Sequence, residues 1–435
     1  MLFRMPITGR RAMPCHFIIH AFCLLTLAFG SALAHAGDKP LTLSEALSRA
    51  MAQNPGLQVF DFRLQGLEGR RVTAGQNPAL EADLEVENFL GSDNLRGVDG
   101  AEYTLSLSSV LELGGKRQAR VSVVDSQYGR VEAERRAETL DLLGQATQRF
   151  VATLALQEKL QLAAEAVALA EATHEIVTRR ADRGAAPQAE VLRARAALTQ
   201  SRIEQSRLRA AYESRKMALA SLWGDTSPDF QMLEGDLFQF GSSDNFVALY
   251  QRVSDSPAIQ IYASEQRIRE AEIQLARSQS ESDIRWQVGV RRFEETDDTG
   301  LTAGLSVPLF SGRRNRGEVQ AALAARDEVR FRREDTLLRL HSRLFDAYHL
   351  RQQSIETVEQ IRSQMLPDLT EALTQTREAY ENGRYSYVEW TAAQRELLSA
   401  RQALVDAATT ALLNQALIEQ LTAQPLVAVP GAPTR

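Results

Sequence analysis

The chain has 435 residues, a formal charge of −6 and only two cysteines, Cys15 and Cys23. An acidic chain argues against nucleic acid as a partner. With both cysteines in the first 36 residues, the remainder has no disulfide, no thiol nucleophile and no cysteine metal site.

Residues 1–36 read as a targeting segment. Arg4, Arg10 and Arg11 form a basic start, an apolar run extends from Phe17 to Leu33, and Ala34-His35-Ala36 is an A-x-A cleavage site. Cleavage there places the mature N-terminus at Gly37 and moves the formal charge to about −9. No later window holds ~20 uninterrupted apolar residues, so no membrane helix is expected.

Leu41 to Ala52 predicts a short helix, with Thr42 and Glu45 at the spacing of a capping box. Gly56 to Gly75 predicts a second helix, ended by Asn77-Pro78. The period then changes to two. Over residues 80–90, Leu80, Ala82, Leu84 and Val86 alternate with Glu81, Asp83, Glu85 and Glu87. Over residues 103–113, Tyr103, Leu105, Leu107, Leu111 and Leu113 oppose Thr104, Ser106, Ser108 and Glu112. These alternations predict strands of about ten residues, long enough to cross a bilayer when tilted.

A proline-free stretch from Lys116 to Asp182 follows, predicting a helix of roughly 100 Å. The turn around Gly184 and Pro187 leads to a returning helix over 188–222, and 223–245 reads as an irregular connector. The order then recurs. Helices over 246–253 and 258–280 precede strands at 283–293 and 301–310, a long helix over 313–382 with a kink at Pro367, and a return helix over 388–421. The tail from Gln424 to Arg435 is rich in Pro and Ala and predicts disorder.

Leu107-Ser108 matches Leu305-Ser306, and Gly114 matches Gly312, at an offset of 198. Gly184, Glu190 and Leu198 match Gly383, Glu389 and Leu397 at an offset of 199. The chain therefore reads as a two-fold internal repeat: 37–222 and 246–423, each of helices, two strands, a long helix and a return helix. It is mainly α with a small β part.

Four isolated strands cannot stand in a membrane, because open edges leave backbone groups unpaired in lipid. Several chains must pool theirs. The long helix carries two apolar stripes, Leu156, Leu160, Ala163, Val167 and Leu140, Leu143, Phe150, Leu154, as a wall element with two neighbours does. With apolar strand faces toward lipid, the lumen is lined by Glu81, Asp83, Glu85, Glu87, Glu112 and Asp283, offset by Arg285 and Arg291, a mouth that favours cations. Polar faces that are simply solvated fit the same alternation. An antiparallel coiled-coil adaptor without a pore is the reading from another class, and it has no use for paired strands. His174, His341 and His349 show no ligand spacing, and no phosphate loop or nucleophile elbow occurs, so no enzyme is expected.

The strand-to-helix joints Leu111-Glu112-Leu113-Gly114-Gly115-Lys116-Arg117 and Pro308-Leu309-Phe310-Ser311-Gly312-Arg313-Arg314, with the turns Gly184 to Leu192 and Gly383 to Thr391, resemble the TolC-type outer-membrane efflux channels. The first joint resembles the heavy-metal (cobalt-zinc-cadmium) branch. The resemblance implies a homotrimer in outer-membrane lipid: a twelve-stranded β-barrel continuous with a periplasmic α-helical barrel, served by a periplasmic adaptor and an inner-membrane RND-type pump, with no cofactor. It implies docking tips at Arg180, Gly184, Glu190, Val191, Leu192, Gly383 and Trp390. It also implies gate residues at Tyr380 and Glu389. Tyr385 stands where the family has arginine, Arg384 is adjacent, and Ala392 replaces a second acid. Glu389 also fits as a helix-start acid favoured by the dipole. Drug efflux or type I protein secretion by the same channel is the alternative to metal export.

Overall fold

The structure is a computed structural model and describes residues 40–242 and 244–424. The predicted leader with its Ala36 site, and the tail beyond Gln424, lie outside the described residues. Gln424 itself closes the last helix, its amide bonding to the Glu419 carbonyl.

The chain starts with a two-residue strand, β1 (Leu41–Thr42), and helix α1 (Leu43–Gln53). Thr42 caps α1, its hydroxyl accepting from the Glu45 amide at 3.2 Å. The expected capping box is only half formed, because the Glu45 carboxylate turns to Arg49 at 2.7 Å. Asn54 caps α2 (Pro55–Ala74) through the amides of Gly56 and Leu57. Strands β2 (Glu81–Glu87) and β3 (Glu102–Leu111) follow, then α3 (Lys116–Asp182), 67 residues without a break. Helix α4 (Gln188–Ala220) returns beside it.

The connector is less irregular than its sequence suggests. Its strand β4 (Leu233–Glu234) pairs in parallel with β1. Phe230, Leu233 and Leu237 are buried with Phe150, Leu154, Tyr212 and Leu412 in the largest core, midway along α3. There the apolar residues of the connector do the packing that propensity does not reveal.

Helices α5 (Phe246–Ser254) and α6 (Pro257–Ser278) lead to β5 (Ile284–Phe293) and β6 (Asp298–Ser306). The long second rod expected over 313–382 is segmented. A four-residue α7 (Ser311–Arg314) ends where Asn315 turns its amide onto the Ala276 carbonyl of α6 and the hydroxyl of Ser280 just beyond it. Helix α8 (Arg316–Gln360) passes through a π-helical turn, Ile361–Met365, into α9 (Leu366–Glu381). The wide turn sits just before Pro367, whose ring would clash with a carbonyl one turn back in regular α-helix. Helix α10 (Tyr387–Thr422) completes the chain. Gly144, deep in α3, admits α10: a Cβ there would lie 2.5 Å from the Gln420 side chain.

Among the described residues, no helix is both long and apolar enough to cross a membrane. The four-stranded sheet runs β2-β3-β5-β6, antiparallel throughout. Its register puts Leu84, Leu105, Val290 and Leu301 in one row, and Ala82, Leu107, Val288 and Ala303 in the next. This apolar face is exposed, while Thr104, Ser106 and Ser108 on the polar face are buried. The sheet is therefore inside-out relative to a water-soluble one.

Candidate functional site

The α3–α4 and α9–α10 hairpins end side by side. In each turn a glycine adopts a left-handed conformation, Gly184 at φ +71° and Gly383 at φ +75°. The backbone bonds correspond: Gly184 to Ala181 and Ala185 to Arg180, against Gly383 to Tyr380 and Arg384 to Ala379. Each amide satisfies a carbonyl that the ending helix leaves open.

One aromatic cluster holds the two hairpins together. Tyr380 stacks on Trp390 at 4.9 Å between ring centroids and meets Tyr387 at 6.4 Å. Ile176, Val177 and Ala194 of the first hairpin complete the cluster. The Tyr380 hydroxyl donates to Glu190 Oε2 at 2.8 Å. Burial, aided by the Glu190 carboxylate, pushes the Tyr380 phenol well above the ordinary tyrosine range. Arg180 lies over the Tyr380 ring at 4.6 Å. It donates to the carbonyls of Tyr380 and Glu381, both at 2.6 Å, and to that of Ala185 at 3.0 Å. A single guanidinium thus ties the end of α9 to the first turn.

The predicted tip residues divide into two groups. Gly184, Leu192, Gly383, Arg384, Tyr385 and Glu389 are exposed, and Glu190 and Val191 are partly so. Trp390 and Tyr380 are only 1% and 2% exposed, so neither presents a surface to another protein. Glu190, expected at a docking surface, meets Tyr380, expected at the gate. Glu389, expected at the gate, is occupied locally in a full capping box with Ser386. The Ser386 amide and hydroxyl both donate to its carboxylate, holding it below the usual carboxylate range. The two acids are each the third residue of their helix but do different work, because Ser386 offers a cap where the first hairpin has Pro187. The Arg180 staple and the Tyr387 contact were not legible in sequence. Both depend on which hairpin lies alongside which.

The strand acids occupy one face of β2. Glu87 pairs with Arg291 at 2.9 Å and Glu81 lies 3.6 Å from Arg285. Asp83 accepts from the Ser108 hydroxyl at 3.4 Å, and Glu85 forms no ion pair among the described residues. Arg291 also reaches Glu102 at 2.9 Å and the Thr104 hydroxyl at 2.9 Å. Glu112 and Asp283, expected alongside the strand acids, lie beyond the strand ends. Glu112 holds Arg120 through both oxygens, at 2.5 and 2.9 Å, and Asp283 holds Lys116 at 2.6 Å. They lock the strand-to-helix joint and are not free acids of a mouth.

Among the described residues, no group of three or more His, Cys, Asp or Glu could hold a metal ion. The outer membrane efflux protein family matches the chain over residues 46–225 and 248–424. The chain belongs to that family. Among curated members it is similar to the cobalt-zinc-cadmium resistance protein CzcC of Cupriavidus metallidurans, 26% identical over 362 residues, covering 83% of this chain and 85% of that protein. It is also similar to the nickel and cobalt resistance protein CnrC of the same organism, 28% identical over 326 residues, covering 72% and 75%. The fold matches the crystal structure of CusC with a TM-score of 0.72 at 18% identity, covering 88% of this chain and 92% of that one.

Proposed function

We propose that this efflux-family chain is the outer-membrane exit duct of a tripartite system that exports divalent heavy-metal cations. The observation that carries the duct is the inside-out sheet. Three of the strands, β3, β5 and β6, have nine or ten residues and span about 30 Å, which tilted at ~40° fits the apolar band of an outer-membrane barrel; β2 is shorter, at seven residues. Four strands leave two open edges, β2 and β6. Three copies close them into a twelve-stranded barrel, and the hairpins of the three copies form the periplasmic tube. The matching turn geometry and the two matched family segments support a two-fold repeat within each copy. A pore-less coiled-coil adaptor would have no reason to expose an apolar sheet.

The metal cargo rests on CzcC and CnrC, whose names specify metal resistance. The channel itself is a passive conduit, so a periplasmic adaptor at the exposed tips and an inner-membrane RND-type pump supply selection and energy. The Tyr380–Glu190 web holds the entrance closed, and adaptor contact around Gly184, Leu192, Gly383 and Tyr385 releases it. The test is tolerance of a deletion strain to zinc, cadmium, cobalt, nickel and copper, with a dye-efflux control. Sensitivity to divalent metals alone is expected. Sensitivity to dyes alone would move the cargo to organic compounds, and impaired export of a secreted protein alone would move it to type I secretion.

A further inference from the structure

The end of the sheet that joins the long helices carries an uncommon combination. Phe310 is 74% exposed and adopts φ +64°, and Leu309 beside it is 70% exposed. A bulky side chain in the left-handed region is strained, and exposing an aromatic to water is unfavourable again. The other joint meets the same demand for left-handed backbone with Gly114 and Gly115. Phe310 thus keeps a large apolar group at a position where glycine would relieve the backbone.

The charges around it are equally unusual. Arg313 and Arg314 close the short α7, while Arg316 opens α8 and Arg117 stands in the first turn of α3. A helix start is its positive end, where acids are favoured and cations are not. Lys116 and Arg120 are neutralised by Asp283 and Glu112. Arg313, Arg314 and Arg316 are exposed and form no ion pair among the described residues, although Glu281 and Glu318 are nearby in sequence or fold. Arg117 has only the Asn77 side-chain oxygen, at 3.2 Å. Both joints converge on one segment: Lys116 bonds to the Glu281 carbonyl, and Ser282 donates to the Pro308 carbonyl and contacts the Ser311 hydroxyl. The exposed arginines therefore gather at one end of a net acidic chain, directly against the apolar belt formed by Leu111, Leu113, Val307, Leu309 and Phe310.

We infer that this rim binds anionic phospholipid headgroups of the periplasmic leaflet. Phe310 and Leu309 enter the acyl boundary, and Arg313, Arg314, Arg316 and Arg117 take the phosphate oxygens. The inference rests on the outer-membrane duct reading and adds the lipid partner to it. Charge and continuity with the apolar belt select this occupant: an apolar step next to unpaired guanidiniums matches the acyl-to-phosphate transition of a lipid monolayer.

The test uses the purified full-length protein and displacement of a fluorescent phosphatidylglycerol by unlabelled phosphatidylglycerol or phosphatidylcholine. The wild type should prefer phosphatidylglycerol, and the preference should shrink as salt is raised. Each arginine replaced in the series R313Q, R314Q, R316Q should lower it by about fivefold. Phe310→Gly, which suits the backbone, should weaken both lipids alike. An unchanged preference in the triple variant overturns the arginine rim. Unchanged binding of both lipids in Phe310→Gly overturns the apolar anchor. Conductance in neutral bilayers separates the two readings. Triple-variant channels that conduct but have lost the preference support the rim. Protein that never conducts even with the entrance bond removed by Tyr380→Phe refutes the duct, and the rim with it.

Discussion

Tyr380 and Glu190 lie 190 positions apart and meet through a 2.8 Å hydrogen bond at the junction of the two hairpins. The donor comes from the last turn of α9 and the acceptor from the first turn of α4. Separating the hairpins must break this bond, draw Tyr380 off Trp390 and pull Arg180 off two carbonyls. The tip is held by one connected set of contacts.

Tyr380→Phe keeps the ring and removes the bond. A hydrogen bond to a charged acceptor contributes about 1.5–3 kcal/mol, so the closed state should lose at least ~tenfold in population. Planar-bilayer recordings of the purified channel should show larger and more frequent openings. Wild-type recordings from Tyr380→Phe would mean that the bond does not hold the entrance.

Arg180→Lys keeps the charge but cannot reach three carbonyls with one planar fork. It should loosen the α9 end, seen as faster amide exchange at Gly383 and Arg384. Exchange as slow as in wild type would assign the staple to the aromatic cluster instead.

Gly184→Val and Gly383→Val place a β-branched residue at φ +71° and +75°, a strain of about 1–3 kcal/mol. The turns are at the exposed tips, far from the main core, so assembly should persist while metal export fails. Normal metal resistance in both variants would remove the tips from adaptor docking.

The strand acids should contribute unequally to ion selectivity. Arg291 and Arg285 offset Glu87 and Glu81, so Asp83→Asn with Glu85→Gln should account for most of the loss of cation preference. Glu81→Gln with Glu87→Gln frees the two arginines and should shift selectivity toward anions. Reversal potentials in a salt gradient measure both, and equal effects from the two pairs would refute this division.

The α10 start should weaken in acid. The Glu389 carboxylate is held below its ordinary range by Ser386, so its contribution is present above the unfolded pKa and is lost as pH falls through the lower folded value. Protection of the Glu389 and Trp390 amides, relative to their intrinsic exchange at each pH, should therefore fall in acid. Glu389→Ala, which removes the acceptor, should show low protection at every pH, and Glu389→Gln, which keeps an acceptor that does not titrate, should show no acid change.

The sequence alone determined the order of the main helices and of the four sheet strands. A period of two is visible in Leu84-Glu85-Val86-Glu87, and 67 residues without proline, rich in Ala, Leu, Gln, Glu and Arg, favour a rod. It also carried the turns, since Gly184 and Gly383 stand where left-handed backbone is needed. Family membership was legible for the same reason: periodicity and turn chemistry are local properties. Partner choice between distant segments is not local, and only the tertiary structure decided it. Glu190 and Glu389 occupy matching positions, yet one meets Tyr380 across the hairpins and the other meets Ser386 within its own turn. Glu112 and Asp283 continue the polar alternation, yet the fold brings Arg120 and Lys116 onto them. The connector around Leu233 has no periodicity, yet it closes the largest core because α1, α3 and α10 converge there. Each outcome depends on which surfaces are brought together, and a pattern read along one chain segment holds no record of that.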